Sequence, residues 1–463
     1  MHSHERIPAR KLKGFRDYLP QQALQRKHIQ DRIWFNAQQA GFLPIDTPVL
    51  EYAETLLGTG GQETDKEVYR FTDHGKRAVA LRFDLTVPFA RFVAENFADL
   101  TFPFKKVQIG HSWRGENPQK GRYREFCQAD LDIVGVDSLA ADVEVLSCLL
   151  RNLEELVPVP FTMAIGHRIV LSQLIKLCLP QLDAGGEGRT LIALDKLVKI
   201  GEPAVKLLIL AIDGAHSAGV DDLLALLQSR DVQGDTDLNL LKLRLVDHPA
   251  GLAEIDRLDA SIQLLRVLLH GKQSKVRLDL SIARGLGYYT GIVFETTIDD
   301  LDGFGSIASG GRYNGLLSRF SSQELPGIGG SIGVDRLLAA LEQLKIGATL
   351  GRQGVFIALA GVEAQTYGFQ ILSQLRNAGI MADIALKVGK LGNQFKFADK
   401  RHYQIVLTLG TDEVKSQTVS IKDLASGQER KDVDWQAARA ELIALTALAK
   451  GSLTMFEVFR LRY

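Results

Sequence analysis

The spacing of apolar positions changes several times along the chain, and each change marks an element. From 21 to 40 (QQALQRKHIQDRIWFNAQQA) they recur at helical spacing, and Gly41 stands where a glycine often ends a helix. Pro44 and Pro48 then break the helical period. Ile45, Val49 and Leu50 predict an extended segment, whose prolines suit a sheet edge open to a second subunit. Residues 58–70 predict a polar loop, 78–84 a short strand and 86–96 a helix. Thr86 either caps that helix or faces, with Asp84, a cavity at the strand end.

Residues 105–135 (KKVQIGHSWRGENPQKGRYREFCQADLDIVG) alternate with period two on both sides of a Gly-, Asn- and Pro-bearing turn at 115–121. On the second strand Arg122, Arg124, Phe126, Gln128, Asp130 and Asp132 share one face. The other face carries Tyr123, Cys127, Ala129, Leu131 and Ile133, interrupted by Glu125. On the first strand Val107, Ile109 and Trp113 oppose Gln108, Ser112 and Arg114. Spacing alone favours a hairpin with one wet face. A pocket floor pairing Arg with anionic groups and Asp with cationic ones is the alternative.

A helix follows at 139–156. Residues 166–270 predict a mostly helical insertion whose leucines read as core. Strand character returns at 275–282. The stretch 284–295 (RGLGYYTGIVFE) then sets glycines beside Arg284, Tyr288 and Tyr289, which allows close backbone approach to a flat or charged group. Residues 327–337 (GIGGSIGVDRL) predict a bare strand running into a helix, with Arg336 near its start. GxGxxG is absent, so this is no dinucleotide fingerprint. Beyond linker-like residues 342–353, strands and helices alternate as in an α/β unit. Lys387, Lys390, Lys396, Lys400 and Arg401 cluster there, either as a solvated face or as a phosphate-contacting surface.

At 463 residues the chain is long enough for two or three domains. Hydrophobic content of 46% and charged content of 24% suit a soluble globular protein. Lys+Arg and Asp+Glu both total 55, so a nucleic-acid partner must be met by a local patch. Three cysteines without a CxxC pair argue against a disulfide framework and for a reducing compartment. No apolar run approaches a membrane span and no secretory h-region is apparent, so a cytoplasmic protein without a membrane partner is expected.

These stretches together resemble the class II aminoacyl-tRNA synthetases, and among them the histidyl-tRNA synthetase family. KGFRDYLP resembles the family's N-terminal signature, while 41–51, 114–128 and 327–337 look like class II motifs 1, 2 and 3. RGLGYYTGIVFE (284–295) and SGGRYNGL (309–316) resemble the two histidine-specific motifs. The resemblance implies an α/β (α+β) fold: an antiparallel class II sheet with flanking helices at 1–165 and 271–345, a helical insertion at 166–270, and an α/β anticodon-binding domain at 350–463.

It also implies roles. Arg114 and Arg336 would hold ATP in a bent form, Phe126 would stack on adenine, and Arg122 would sit near the phosphates. Arg284 would contact the histidine carboxylate and the α-phosphate, making Arg284, Arg114 and Arg336 the catalytic set. Asp84, Thr86 and Gln128 would surround the α-amino group. Asp132 and Tyr289 would read the imidazole, directly or through water, with Tyr288 beside them. Asn117, Gln119 and Lys120 would meet the tRNA acceptor end, and Lys396, Lys400 and Arg401 the rest of the tRNA. L-histidine, ATP with Mg2+ and tRNA(His) are the implied substrates and cofactor, and a homodimer the implied assembly. The metal ligands are not implied.

Three features depart from the family pattern. Gly287 stands where Asp is frequent. Asp84 and Asp132 stand where many bacterial members carry Glu. The loop of motif 2 mixes features of the subgroups. The alternative on this scaffold is a regulatory subunit of ATP phosphoribosyltransferase, which binds histidine without charging tRNA. Such paralogues usually lack the C-terminal domain and erode the histidine motifs, both present here.

Overall fold

The computed structural model describes residues 7–58, 62–269, 274–282, 288–346 and 354–451. The chain divides into two compact units, Met1–Gly347 and Ala348–Tyr463. In the first unit the strands are β1 (Leu43–Pro44), β2 (Leu50–Tyr52), β3 (Arg70–Thr72), β4 (Ala78–Leu81), β5 (Phe104–Trp113), β6 (Glu125–Val134), β7 (Phe161–His167), β8 (Lys275–Leu278), β9 (Ile292–Ile298), β10 (Ala308–Arg312) and β11 (Gly327–Gly333). Eight of them form one sheet in the order β1-β5-β6-β11-β10-β9-β7-β8, and β2-β4-β3 form a small antiparallel sheet.

Only the outer pairs of the large sheet, β1–β5 and β7–β8, are parallel. A parallel pair needs a crossover, and the helical insertion is the crossover between β7 and β8. Its leucines, among them Leu174, Leu223, Leu227 and Leu258, are buried in the same apolar cluster as the sheet.

The hairpin at 105–135 forms as β5 and β6, with Lys106 opposite Asp132 and Gln108 opposite Asp130. The expectation of a wet face does not hold: Lys106, Gln108, Asp130 and Asp132 are all buried. The reason is that other segments cover that face: Lys106 Nζ lies 4.9 Å from the Phe89 ring centre, Gln108 donates to Thr47 Oγ1 at 3.0 Å and Tyr313 donates to Asp132, while β11 pairs on the other side of β6, setting Ser331 against Asp130 and Gly329 against Asp132. Gly329 is required there, since a Cβ would lie 1.8 Å from Asp132 Oδ1.

Local details differ from the sequence reading for identifiable reasons. Residues 58–70 are not all loop: Gln62–Glu67 is helical, in keeping with its Gln, Glu and Lys. The strand expected at 275–282 stops at Leu278, because Asp279 turns the chain by accepting the Ser281 amide at 3.1 Å. The helix Thr86–Glu95 is capped by Asp84, whose Oδ1 accepts the Val87 amide at 3.1 Å, and not by Thr86.

The second unit holds β12 (Val355–Leu359), β13 (Ala382–Ile384), β14 (Ile405–Leu409), β15 (Thr418–Asp423) and β16 (Glu429–Asp434), in the order β13-β12-β14-β15-β16. β12 is parallel to both its neighbours, and helices such as Gln365–Asn377 contribute to its core. Sequence reading missed β16, whose ERKDVD has no apolar alternation and pairs only along the sheet edge.

Candidate active site

Two adjoining cavities open over β6, β10 and β11, of about 300 and about 160 Å3. Arg114, Arg122, Gln128, Ser309 and Ser331 border both. The larger is also bordered by Asp84, Thr86, Asp130, Tyr288, Tyr289 and Tyr313, and the smaller by Phe126 and Arg336. Period-two alternation on β6 explains this: Phe126, Gln128 and Asp130 point to one side and so lie in sequence along the cleft.

At the smaller cavity, Arg114 donates from Nε to the Phe83 carbonyl at 3.0 Å, and its guanidinium lies 5.1 Å from the Phe126 ring centre. Arg336 lies 5.2 Å from the Phe304 ring centre and donates to the Phe304 carbonyl. Arg122 pairs with Glu116 at 3.1 Å at the base of the turn. Arg114 and Arg336 thus lie over aromatic rings and, with Arg122, border the cavity, an arrangement suited to polyanions.

The larger cavity is richer in carboxyl groups. Burial pushes the Asp84 carboxyl up to about 6, against the pull of the Val87 amide and Arg114. Burial likewise pushes Asp130 up to about 7, with Lys106 acting the other way and Asp132 adding to the rise. Tyr288 donates to Asp84 Oδ2 at 3.1 Å and stands edge-on to Tyr289, ring centres 5.0 Å apart. Burial raises the pKa of Tyr288, Tyr289 and Tyr313, so all three are neutral donors near pH 7. Gln128 donates to Ser331 Oγ at 2.9 Å.

Asp132 is not among the residues bordering either cavity. Its Oδ1 accepts from the Tyr313 hydroxyl at 2.6 Å and its Oδ2 pairs with Lys106 Nζ at 2.7 Å. Sequence reasoning did not single out Lys106, Tyr313 or Asp130. The signal for Lys106 was its place on the same strand face as Gln108. Behind the floor, buried Arg312 donates to Asp142 Oδ1 from Nε at 3.0 Å, and Asp142 Oδ2 accepts from Arg257 of the insertion at 2.7 Å. Arg284 lies outside the described residues.

Asn117, Gln119 and Lys120 are exposed on the turn between β5 and β6, where Gln119 and Arg122 pair backbone to backbone at 3.1 and 2.9 Å. In the second unit Lys396 and Lys400 are exposed on the helix Leu391–Lys400, with Arg401 exposed at its end.

A mostly antiparallel sheet that carries one arginine from a hairpin and one from a Gly-rich strand–helix junction, both over one cleft, is the catalytic architecture of a class II aminoacyl-tRNA synthetase. The family model for histidyl-tRNA synthetase matches residues 14–337, and that for the anticodon binding domain matches 354–445. The chain is 40% identical over 438 residues to a histidine–tRNA ligase of Rhodopirellula baltica, covering 92% of this chain and 96% of that one. It is 38% identical over 431 residues to one of Helicobacter pylori, covering 91% and 95%. The crystal structure of histidyl-tRNA synthetase from Nostoc sp. superposes with a TM-score of 0.82 at 30% identity, covering 94% of this chain and 99% of that one. The chain belongs to the histidyl-tRNA synthetase family. A Bacillus halodurans structure titled as an ATP phosphoribosyltransferase regulatory subunit/histidyl-tRNA synthetase shares the fold, with a TM-score of 0.70 at 21% identity.

Proposed function

We propose that the cleft performs both steps of histidine–tRNA ligation, with the larger cavity taking L-histidine and the smaller one ATP. The carrying observation is that two cavities of different chemistry share Arg114, Arg122 and Gln128 at their junction. Two substrates lying end to end would react there. The histidine carboxylate is itself the nucleophile on the α-phosphorus, so no base is required. The bond to the β-phosphate breaks, pyrophosphate leaves and histidyl-adenylate remains. Catalysis is then positioning and charge stabilisation. A ribose hydroxyl at the 3' end of tRNA(His) next attacks the adenylate carbonyl, and AMP leaves.

In this reading Arg114, Arg122 and Arg336 hold the phosphates and Phe126 carries the adenine. Arg284 bridges carboxylate and α-phosphate. Asp84, Thr86 and Gln128 take the α-ammonium group. Tyr288 and Tyr289 flank the imidazole, and Asp132 acts on it from behind Tyr313. Asn117, Gln119 and Lys120 contact the acceptor end, and Lys396, Lys400 and Arg401 the tRNA bound at 350–463, with 1–165 and 271–345 as the catalytic domain and 166–270 inserted in it.

Among the described residues no three His, Cys, Asp or Glu side chains cluster as a metal site, while Glu116 and Glu295 each border the cleft. That set fits Mg2+ arriving on the nucleotide and taking one or two carboxylates. When bound it would neutralise phosphate charge.

The exposed Leu43, Leu50, Tyr52 and Phe71 on β1, β2 and β3 support a homodimer formed through this edge. Free buried Cys127, Cys148 and Cys178 support a cytoplasmic setting. The test is ATP–pyrophosphate exchange with each amino acid in turn. Exchange with histidine alone is expected. Histidine binding without exchange would favour the regulatory reading instead.

A further inference from the structure

Among the described residues that border the two cavities, none comes from the stretch KGFRDYLP at 13–20. The stretch also adds little to the core: Leu12 beside it and Leu19 within it are exposed, while Tyr18 packs half-buried against the main apolar cluster. Its polar contacts are with the β5–β6 turn. The Gly14 carbonyl accepts from the Arg124 amide at 2.8 Å, and Nε of Arg124 donates across the turn to the Glu116 carbonyl at 3.2 Å. Arg16 donates to the Tyr123 hydroxyl at 3.0 Å.

The fit at Gly14 is tight. Its φ is +88°, and a Cβ would lie 2.8 Å from Pro118 Cγ and 2.9 Å from Arg124 Cδ. The Pro118 ring is fixed to the backbone of the turn, so a side chain at 14 could be housed only by moving the turn or the segment.

The same stretch reaches the helix Val334–Gln343, which carries Arg336 in its first turn. Arg16 pairs with Glu342 of that helix at 2.8 Å, and Gln22 donates to the same carboxylate at 2.9 Å. Further along, Arg26 pairs at 2.6 Å with Asp335, the neighbour of Arg336. Arg16 therefore joins two walls of the smaller cavity: the turn, which supplies Glu116, Arg122 and Tyr123, and the helix, which supplies Arg336. A turn that carries Gly115, Asn117 and Gly121 would otherwise be free to move, and a ligand would have to order it on binding.

We propose that Gly14 and Arg16 are positioning residues for ATP: they hold the β5–β6 turn against the helix of Arg336, so that Glu116, Arg122 and Tyr123 stand at the smaller cavity before the nucleotide arrives. This rests on the smaller cavity being the ATP site of histidine activation.

The experiment is histidine-dependent ATP–pyrophosphate exchange on the full chain, comparing wild type with Gly14→Ala and Arg16→Ala. Each variant should raise the KM for ATP about 10-fold, the lower end of the range for one lost charge-assisted hydrogen bond. The KM for histidine at saturating ATP should stay within about twofold, since the larger cavity is untouched. The unfolding temperature of the first unit should fall by less than about 5 °C, because the contacts removed are only half-buried. A KM for ATP within about twofold of wild type in either variant would overturn the assignment. So would equal rises in both KM values, or a fall in unfolding temperature beyond about 5 °C in either variant, which would mark a purely structural segment. Absence of histidine-dependent exchange in the wild type would instead overturn the reading of the cleft itself, so the two failures are distinct.

Discussion

β12 of the second unit and β6 of the first hold the same kind of place, each inside a sheet with a strand on either side. Their side chains follow opposite rules. All of β12, Val355–Leu359, is apolar and buried, as expected of a strand in parallel pairing covered on both faces. β6 is apolar on one face only, with Ala129, Leu131 and Ile133, and sets Gln128, Asp130 and Asp132 on the other. An apolar interior is complete without a ligand. An ionisable one is stable only where its charges are paired or hydrogen-bonded, and where it lines a cleft it can present those groups to a substrate. This contrast separates a sheet that supports from a sheet that binds.

The largest test concerns the paired charges. Asp142, 2% exposed, joins Arg312 behind the cleft floor to Arg257 of the insertion. Asp142→Ala would take the nearest carboxylate from buried Arg312, leaving it the Asn314 side chain, the Ser138 carbonyl and the more exposed Asp137 at 3.4 Å, and would take a partner from Arg257 as well. It should lower the stability of the first unit by about 3–5 kcal/mol in urea denaturation. A loss below about 1 kcal/mol would break the claim that charges are tolerated here only as pairs. Next in size is Arg114, which faces the cleft. Arg114→Ala should slow histidine-dependent exchange about 10²- to 10³-fold while leaving unfolding close to wild type. A variant that loses fold and activity together would place Arg114 with the structural pairs.

The third test uses pH. Asp84 has a folded pKa of about 6 against an ordinary 3.8. The folded state therefore holds its proton more tightly than the unfolded one, and stability falls as pH rises from about 4 to about 6. Asp84→Asn keeps an acceptor for the Val87 amide but does not titrate. The variant should match wild type below about pH 4 and gain on it by up to ~3 kcal/mol above about pH 6. Parallel stability curves for the two proteins would show that Asp84 is not strained when ionised. Exchange should fall in the variant at every pH.

Much of this was legible in the sequence, and the gaps have physical causes. Alternation placed the β5–β6 hairpin, its turn and its two faces, since period two needs only the chain itself. It did not tell a wet face from a buried one, because that depends on Thr47, Phe89 and Tyr313, which cover the face from elsewhere along the chain. The arginines were legible through the motifs they sit in. Lys106 and Tyr313 were not, because their roles exist only where β5, β6 and the end of β10 meet. Asp130 was seen as a member of the polar face, yet its burial is a property of three-dimensional neighbours. β16 was missed because an edge strand can be held by backbone bonds with no apolar pattern to announce it.

The smallest test asks whether the difference between the two strands is confined to one face. Ile133 on β6 is 3% exposed and Ile357 on β12 is fully buried. Ile133 belongs to the apolar side of β6, opposite the carboxyl groups, and packs in the first unit's large cluster, while Ile357 packs in the second unit's own. Removing one methyl from each should therefore have the same consequence. Ile133→Val and Ile357→Val are each expected to lower stability by about 1 kcal/mol, read as the shift of the corresponding unfolding transition. Similar losses would mean that β6 is an ordinary core strand on one side and a binding surface on the other. A loss at Ile133 several times that at Ile357 would show that its apolar side is strained by the charges behind it, and the contrast would then extend through the whole strand.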